Sequence, residues 1–207
     1  MIGAQAARLL ISIVTGMALA RLLDPTDFGI FAMVLSLTAF VTSFSDFGLG
    51  MAAVQREHVH DSELNALFWL GVRLSGLTFL FMALMAPVLV WFYDEPRLIG
   101  VTLVMAFAVV LMELAVQQRA VLVRRMRFAT ITAIEVCAAV VGAAAGISAA
   151  AVGAAYWALV LQFVAVAVAQ SAGAWLFCDW RPGRLREARG SGFRALTVYG
   201  RDYTLYR

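Results

Sequence analysis

The sequence predicts an all-α, polytopic membrane protein built as a bundle of six transmembrane helices. Three observations carry that prediction. The 207 residues are 63% hydrophobic and only 14% charged, whereas soluble domains average roughly 45–50% and about 25%. Six stretches are mainly apolar over the ~20 residues that a helix needs to cross hydrocarbon. Between them lie short polar turns that alternate in character, some acidic and some rich in Arg.

The first run is Ile2–Leu23. Arg8, the apolar stretch from Leu9 and the triplet Ala18-Leu19-Ala20 together have the form of a signal peptide with a cleavage site. The segments that follow are themselves spans, however, so a retained first helix is expected. The run begins at Met1 with almost no polar lead, which is compatible with a start farther upstream. Asp24, Pro25 and Asp27 then form a turn. Asp24 is placed to cap the next helix, Pro25 suits its first position, and Asp27 sets negative charge against the positive end of the helix dipole.

The second run, Phe28–Val54, meets no charge before Asp46. The third is Leu64–Phe92 and the fourth Leu98–Val123. The fifth and sixth, Ala129–Ala149 and Ala154–Phe177, are nearly continuous. A break is expected between Ser148 and Gly153, because one unbroken helix would be ~75 Å long at ~1.5 Å per residue. Gly142 and Gly146 form a G-x-x-x-G pattern within the fifth run. That pattern permits close backbone approach, although in so Ala-rich a helix it also arises by chance.

All sixteen basic residues are Arg, and their placement sets the expected orientation. The connections after spans two, four and six carry Arg56, then Arg124, Arg125 and Arg127, then Arg181, Arg184, Arg186, Arg189 and Arg194. Those after spans one and three carry Asp24 and Asp27, then Asp94, Glu95 and Arg97. Excess Arg marks the cytoplasmic side, so both termini are expected in the cytoplasm. The net charge of +3 thus reports topology and gives no reason to invoke a nucleic-acid partner. Asp24-Pro25 and Glu95-Pro96 each start an inward-running helix, a weak sign of a helix-pair repeat. The expected division is a six-helix lobe over 1–178 and an Arg-rich cytoplasmic linker or tail over 179–207, near anionic headgroups.

No soluble catalytic constellation, phosphate loop or nucleophile motif is present, which argues against an enzyme. Cys137 and Cys178 lie in apolar runs and form no disulfide framework. His58 and His60 stand beside Glu57 and Asp61, a grouping common in short polar loops and weak as a metal site. Neither metal nor cofactor is expected. The informative residues are the ionisable ones within spans: Asp46, Arg73, Glu113 and Glu135. Counted from their nearest cytoplasmic ends at ~1.5 Å per residue, all four fall ~12–17 Å deep. They form either a polar layer serving transport or a structural ion-pair network. Arg119, beside Gln117 and Gln118, lies nearer the interface, able to snorkel to headgroups or to line a cavity mouth. Trp69, Trp91, Phe92, Tyr93, Trp175 and Trp180 lie near span ends, as an anchoring aromatic belt would.

Taken in order, LARLLDPTDFGIFAMV, SDFGLGMAAVQRE, FWLGVRLSG, WFYDEPRL, QRAVLVRRMRF, YWALVLQ and DWRPGR resemble a known family. They are similar to the oligosaccharide-lipid flippases of bacterial surface-polysaccharide synthesis, within the multidrug/oligosaccharidyl-lipid/polysaccharide exporter superfamily. The resemblance covers roughly positions 5 to 194. It implies one lobe of a two-lobe exporter in the bacterial inner membrane. Such a transporter moves an undecaprenyl-diphosphate-linked repeat unit toward the periplasm by rocking against a second lobe or second copy. The chain departs from the family pattern in its short polar lead and in stopping where a second lobe would begin. The implied substrate is anionic and sugar-rich, so it needs cations and hydrogen-bonding groups shielded from lipid. Arg73, deep in a span, is the first expected contact, with Gln117, Gln118 and Arg119. Asp46, Glu113 and Glu135 would complete the polar layer. Two rival functions stay open: a membrane-embedded assembly subunit of a polysaccharide synthase complex, and a drug or ion exporter of the same superfamily.

Overall fold

The computed structural model describes residues 2–45 and 61–183. Within them the chain forms seven helices and no strand: α1 (Ile2–Leu22), α2 (Pro25–Ser45), α3 (Asp61–Tyr93), α4 (Leu98–Leu114), α5 (Val116–Arg124), α6 (Phe128–Ala151) and α7 (Trp157–Phe177). α4 and α5 are two parts of one span, Leu98–Arg124, so six helical spans are long and apolar enough to cross a membrane. This is the six-helix, multi-pass membrane architecture that the apolar runs predict. Asp46, His58 and His60 lie outside the described residues.

The turns follow local chemistry. At α2 the Asp24 backbone N–H donates to the Asp27 carboxylate at 3.3 Å, so the acid in the first turn reaches back to close the helix start. Pro25 occupies the first helical position, where no N–H is needed. At the other Pro turn, Asp94 takes a positive φ of 54° and Glu95 accepts from the Arg97 N–H at 3.4 Å. α5 and α6 end in one motif. The Arg127 N–H returns to the Leu122 carbonyl and the Met126 N–H to Val123; Ala154 and Gly153 do the same to Ala149 and Ala150. Gly153 takes the left-handed conformation freely at φ 79°, while Met126 adopts it at φ 54° against its own Cβ. α6 therefore stops at Ala151, inside the expected break.

α6 and α7 form the largest interface, α3 and α4 the next, and α1 packs along α6 while α2 packs on α4 and α3. Helices do not attract one another hydrophobically in lipid, so close approach depends on small residues. The α6–α7 hairpin has them. A Cβ on Gly142 would overlap Val166, one on Gly146 would lie 2.9 Å from the Gln162 Cβ, and one on Gly173 would lie 2.7 Å from Ile134. The G-x-x-x-G pattern is therefore a packing surface here.

The helices that flank the first turn part from one another. Leu19 of α1, Leu23 of the turn, Phe28 and Phe31 of α2, and Ala149, Ala150, Ala158 and Leu159 of the hairpin form one apolar cluster around that turn. Beyond it α1 follows α6, whereas α2 continues into a cluster of Ile30, Val34, Leu98, Val101, Met105 and Val160. α1 ends and α2 starts at this turn, and the two helices diverge away from it.

Candidate functional site

The polar residues of four helices meet where α1 has left α2. Arg8 of α1 donates from Nη1 to Glu135 of α6 at 2.9 Å. Arg119 of α5 donates from Nη2 to the other oxygen of the same carboxylate at 2.7 Å. The second Arg119 arm lies 3.5 Å from the side-chain oxygen of Gln170 on α7. Glu135 thus accepts one charge-assisted bond on each oxygen, the stronger class of hydrogen bond. Two guanidiniums facing one carboxylate leave this group with a net charge of +1.

Exposure defines what it faces. The side chains are 50% exposed at Arg8, 39% at Arg119 and 23% at Glu135. Ionised groups inside a span avoid hydrocarbon and face protein or a water-filled space. A half-open, cationic ion-pair cluster within the spans therefore marks a polar surface on the bundle, not a lipid-facing one.

Next to Arg119 the environment closes. Gln118 is wholly buried and Gln117 nearly so. Both polar atoms of the Gln118 amide and the Gln117 side-chain oxygen lack a hydrogen-bond partner among the described residues. They open α5, whose start has no side-chain cap. The Glu113 carboxylate is buried just before this break.

The site residues expected from sequence separate into groups. Arg119 and Glu135 are joined directly, with Gln117 and Gln118 immediately before Arg119 in the same helix. Arg119 is half-buried and ion-paired rather than extended along the interface. Arg73 lies on α3 with an exposed side chain and makes no ion pair with a described residue. The cation at Glu135 is thus Arg119 together with Arg8. Arg8, which the sequence suggested only as a leader charge, and Gln170 are the members that sequence reasoning missed. Gln162 and Gln170, eight residues apart in an apolar helix, fall on one face and carried a signal.

A second arrangement lies toward the same end of the bundle, where Ala120 and Ile134, the neighbours of Arg119 and Glu135, share an apolar cluster with Cys178 and Trp180. Phe68 packs edge-on against Trp69, Trp175 and Trp180 at centroid distances of 5.7, 6.0 and 6.2 Å. The Trp69 indole N–H donates to the Gly183 carbonyl, and the Arg181 guanidinium lies over Trp175. Asp179 accepts from Arg125 at 2.8 Å and lies 3.6 Å from Arg127. These aromatics tie α3, α7 and the following segment together. Trp91 and Phe92, 83% and 71% exposed, stand outward as membrane anchors would. Among the described residues no His, Cys, Asp and Glu group is placed to hold a metal.

The chain is 28% identical over 124 residues to the lipopolysaccharide biosynthesis protein WzxC of Escherichia coli (strain K12), covering 60% of this chain and 25% of that protein. It is 25% identical over 127 residues to the teichuronic acid biosynthesis protein TuaB of Bacillus subtilis (strain 168), covering 61% of this chain and 26% of that one. Against the succinoglycan biosynthesis transport protein ExoT of Rhizobium meliloti (strain 1021) it is 24% identical over 169 residues, 82% of this chain and 34% of ExoT. The chain thus spans between a quarter and about a third of the length of these curated relatives. No solved structure matches it significantly. The family described as polysaccharide biosynthesis protein matches residues 18–206, from the second half of α1 onward, and the chain belongs to that family.

Proposed function

We propose that this chain forms the N-terminal lobe of a transporter that moves undecaprenyl-diphosphate-linked oligosaccharide repeat units across the bacterial inner membrane. The observation that carries the reading is the cationic cluster of Arg8, Arg119 and Glu135, partly open within the spans of a polysaccharide biosynthesis protein. A diphosphate crossing hydrocarbon needs cations that water or protein keeps out of lipid. Arg119 offers a planar fork suited to phosphate oxygens, and Glu135 holds it in place while Arg8 supplies the excess charge. Gln117 and Gln118 are the neighbouring hydrogen-bonding groups, and Arg73 on α3 is a further contact. The role is transport, not catalysis. A second lobe, covalently joined or supplied by a second copy, faces this surface. The six-helix lobe spans 1–178, the segment 179–207 is its cytoplasmic extension, and both termini face the cytoplasm.

The test is complementation of a strain lacking its own repeat-unit transporter. In a full-length context this lobe restores surface polysaccharide. Lipid-linked repeat units that accumulate on the cytoplasmic leaflet, despite normal insertion of the protein, contradict the proposal.

A further inference from the structure

The fourth span breaks at Ala115 without a residue that breaks helices. The sequence from Leu111 to Gln118 contains neither Gly nor Pro. Leu, Met, Glu, Ala and Gln are among the strongest helix formers. Mid-helix breaks normally trace to Pro, to Gly or Ser pairs, or to a side chain inserted into the backbone ladder. Here the last applies. The Ser171 hydroxyl of α7 donates to the Leu111 carbonyl at 2.6 Å. That carbonyl would otherwise take the Ala115 N–H alone, and the Ala115 N–H instead turns to Met112, three residues back, at 3.1 Å. Ala115 itself sits at φ −96°, ψ −5°, in the sparsely populated bridge region. The next backbone bond across the break runs from the Arg119 N–H to the Ala115 carbonyl. Val116, Gln117 and Gln118 form the first turn of α5, which has no side-chain cap.

The two sides of the break also have different neighbours. α4 packs chiefly on α3, α7 and α2, while α5 packs foremost on α6, the helix that carries Glu135. The joint thus lies between two packed groups, and Arg119 is on the smaller one.

The geometry points to Ser171 as a switch that holds the fourth span broken, with a continuous helix as its second state. Releasing the hydroxyl returns the Leu111 carbonyl to the Ala115 N–H and lets the amides of Val116 to Gln118 take the carbonyls four residues back. α5 then tilts relative to α4 and re-aims Arg119 with respect to Glu135. Local propensity favours the continuous state, and one lateral hydrogen bond opposes it, so the two states lie close in free energy. The switch needs no substrate.

Backbone 13C chemical shifts and amide exchange of the 207-residue chain in lipid nanodiscs test this. In the unaltered chain Ala115 has non-helical shifts. In Ser171→Ala its shifts move into the helical range, and exchange at Val116 to Gln118 slows about tenfold, the scale of one net backbone hydrogen bond. Ser171→Thr keeps a hydroxyl and retains the break. Unchanged Ala115 shifts in Ser171→Ala overturn the switch. A spectrum that collapses throughout α4 and α7 in Ser171→Ala makes the hydroxyl a fixed structural tie and overturns it equally.

Discussion

α6 has two principal neighbours and meets them by different means. Toward α7 it presents Gly142 and Gly146, against which Gln162 and Val166 pack so closely that a Cβ has no room. Toward α1 it presents Ala149 and Ala150 beside the turn between α1 and α2, and then a single carboxylate, Glu135, that Arg8 must reach. The first contact depends on shape over the length of a hairpin. The second depends on a small apolar patch and one ion pair. In lipid, where apolar surface gains nothing by leaving its solvent, these two means behave differently. Shape is lost all at once when a methyl intrudes, whereas an ion pair can exchange one partner for another. The hairpin is thus the fixed part of the bundle, and the polar cluster is the adaptable one.

The largest effect is expected where shape rules. Gly142→Leu drives a side chain into Val166 and toward the Gln162 carbonyl, which lies 3.2 Å from an ideal Cβ. Overpacking of this kind costs ~1–3 kcal/mol or more, and the folded fraction in detergent should fall several-fold. Gly29→Ala is the control. Nothing lies within 4 Å of its Cβ position, and thermal unfolding in detergent should be unchanged or slightly raised. Equal losses at both positions would show that the loss at Gly142 does not come from the close packing of the hairpin.

A small effect is expected where charge acts at the exposed end. Asp179, 66% exposed, binds Arg125 and Arg127. Exposed pairs contribute at most about 1 kcal/mol, so Asp179→Asn should move the midpoint of thermal unfolding only slightly. A large loss would show that the aromatic group around Phe68 depends on that ion pair for its alignment.

What the sequence disclosed follows the same division. Span limits among the described residues were legible because hydrocarbon thickness imposes a length, while the expected end of the second span at Val54 lies outside them, and the α6–α7 break was legible because a helix that long would overshoot the bilayer. The turn at Asp24 to Asp27 was legible because its chemistry is local. The partners of Glu135 were not. Counting residues gives depth, and depth placed Glu135 level with Asp46, Arg73 and Glu113, but it does not say which face of which helix turns inward. Arg8 and Glu135 lie 127 residues apart. Only the packing of α1 on α6 brings them together. Arg119 was placed near the interface by the same count, yet the carboxylate sixteen residues on was within its reach. The break at Ala115 left no local signal, since its cause is a hydroxyl sixty residues away. The aromatic residues near span ends divided by burial. Trp91 and Phe92 are exposed, while Trp69, Trp175 and Trp180 pack on Phe68, a difference that position along a span does not encode.

The central claim is that Arg119 contacts substrate and that Glu135 positions it. Replacing both with Ala is the direct test, because it leaves Arg8 alone and preserves the net charge of +1 in the cluster. Removing Glu135 alone leaves two guanidiniums without their carboxylate and should lower the amount of protein in the membrane, whereas removing Arg119 alone leaves the neutral Arg8–Glu135 pair. The double change should restore that amount, as expected when both partners of a pair are removed. The measurement is export of the repeat unit in a full-length context, normalised to protein in the membrane. With abundance restored, export should stay about tenfold or more below the unaltered protein, the scale of one charge-assisted hydrogen bond to phosphate. Recovery of both abundance and export in the double variant would make the pair purely structural and contradict the account.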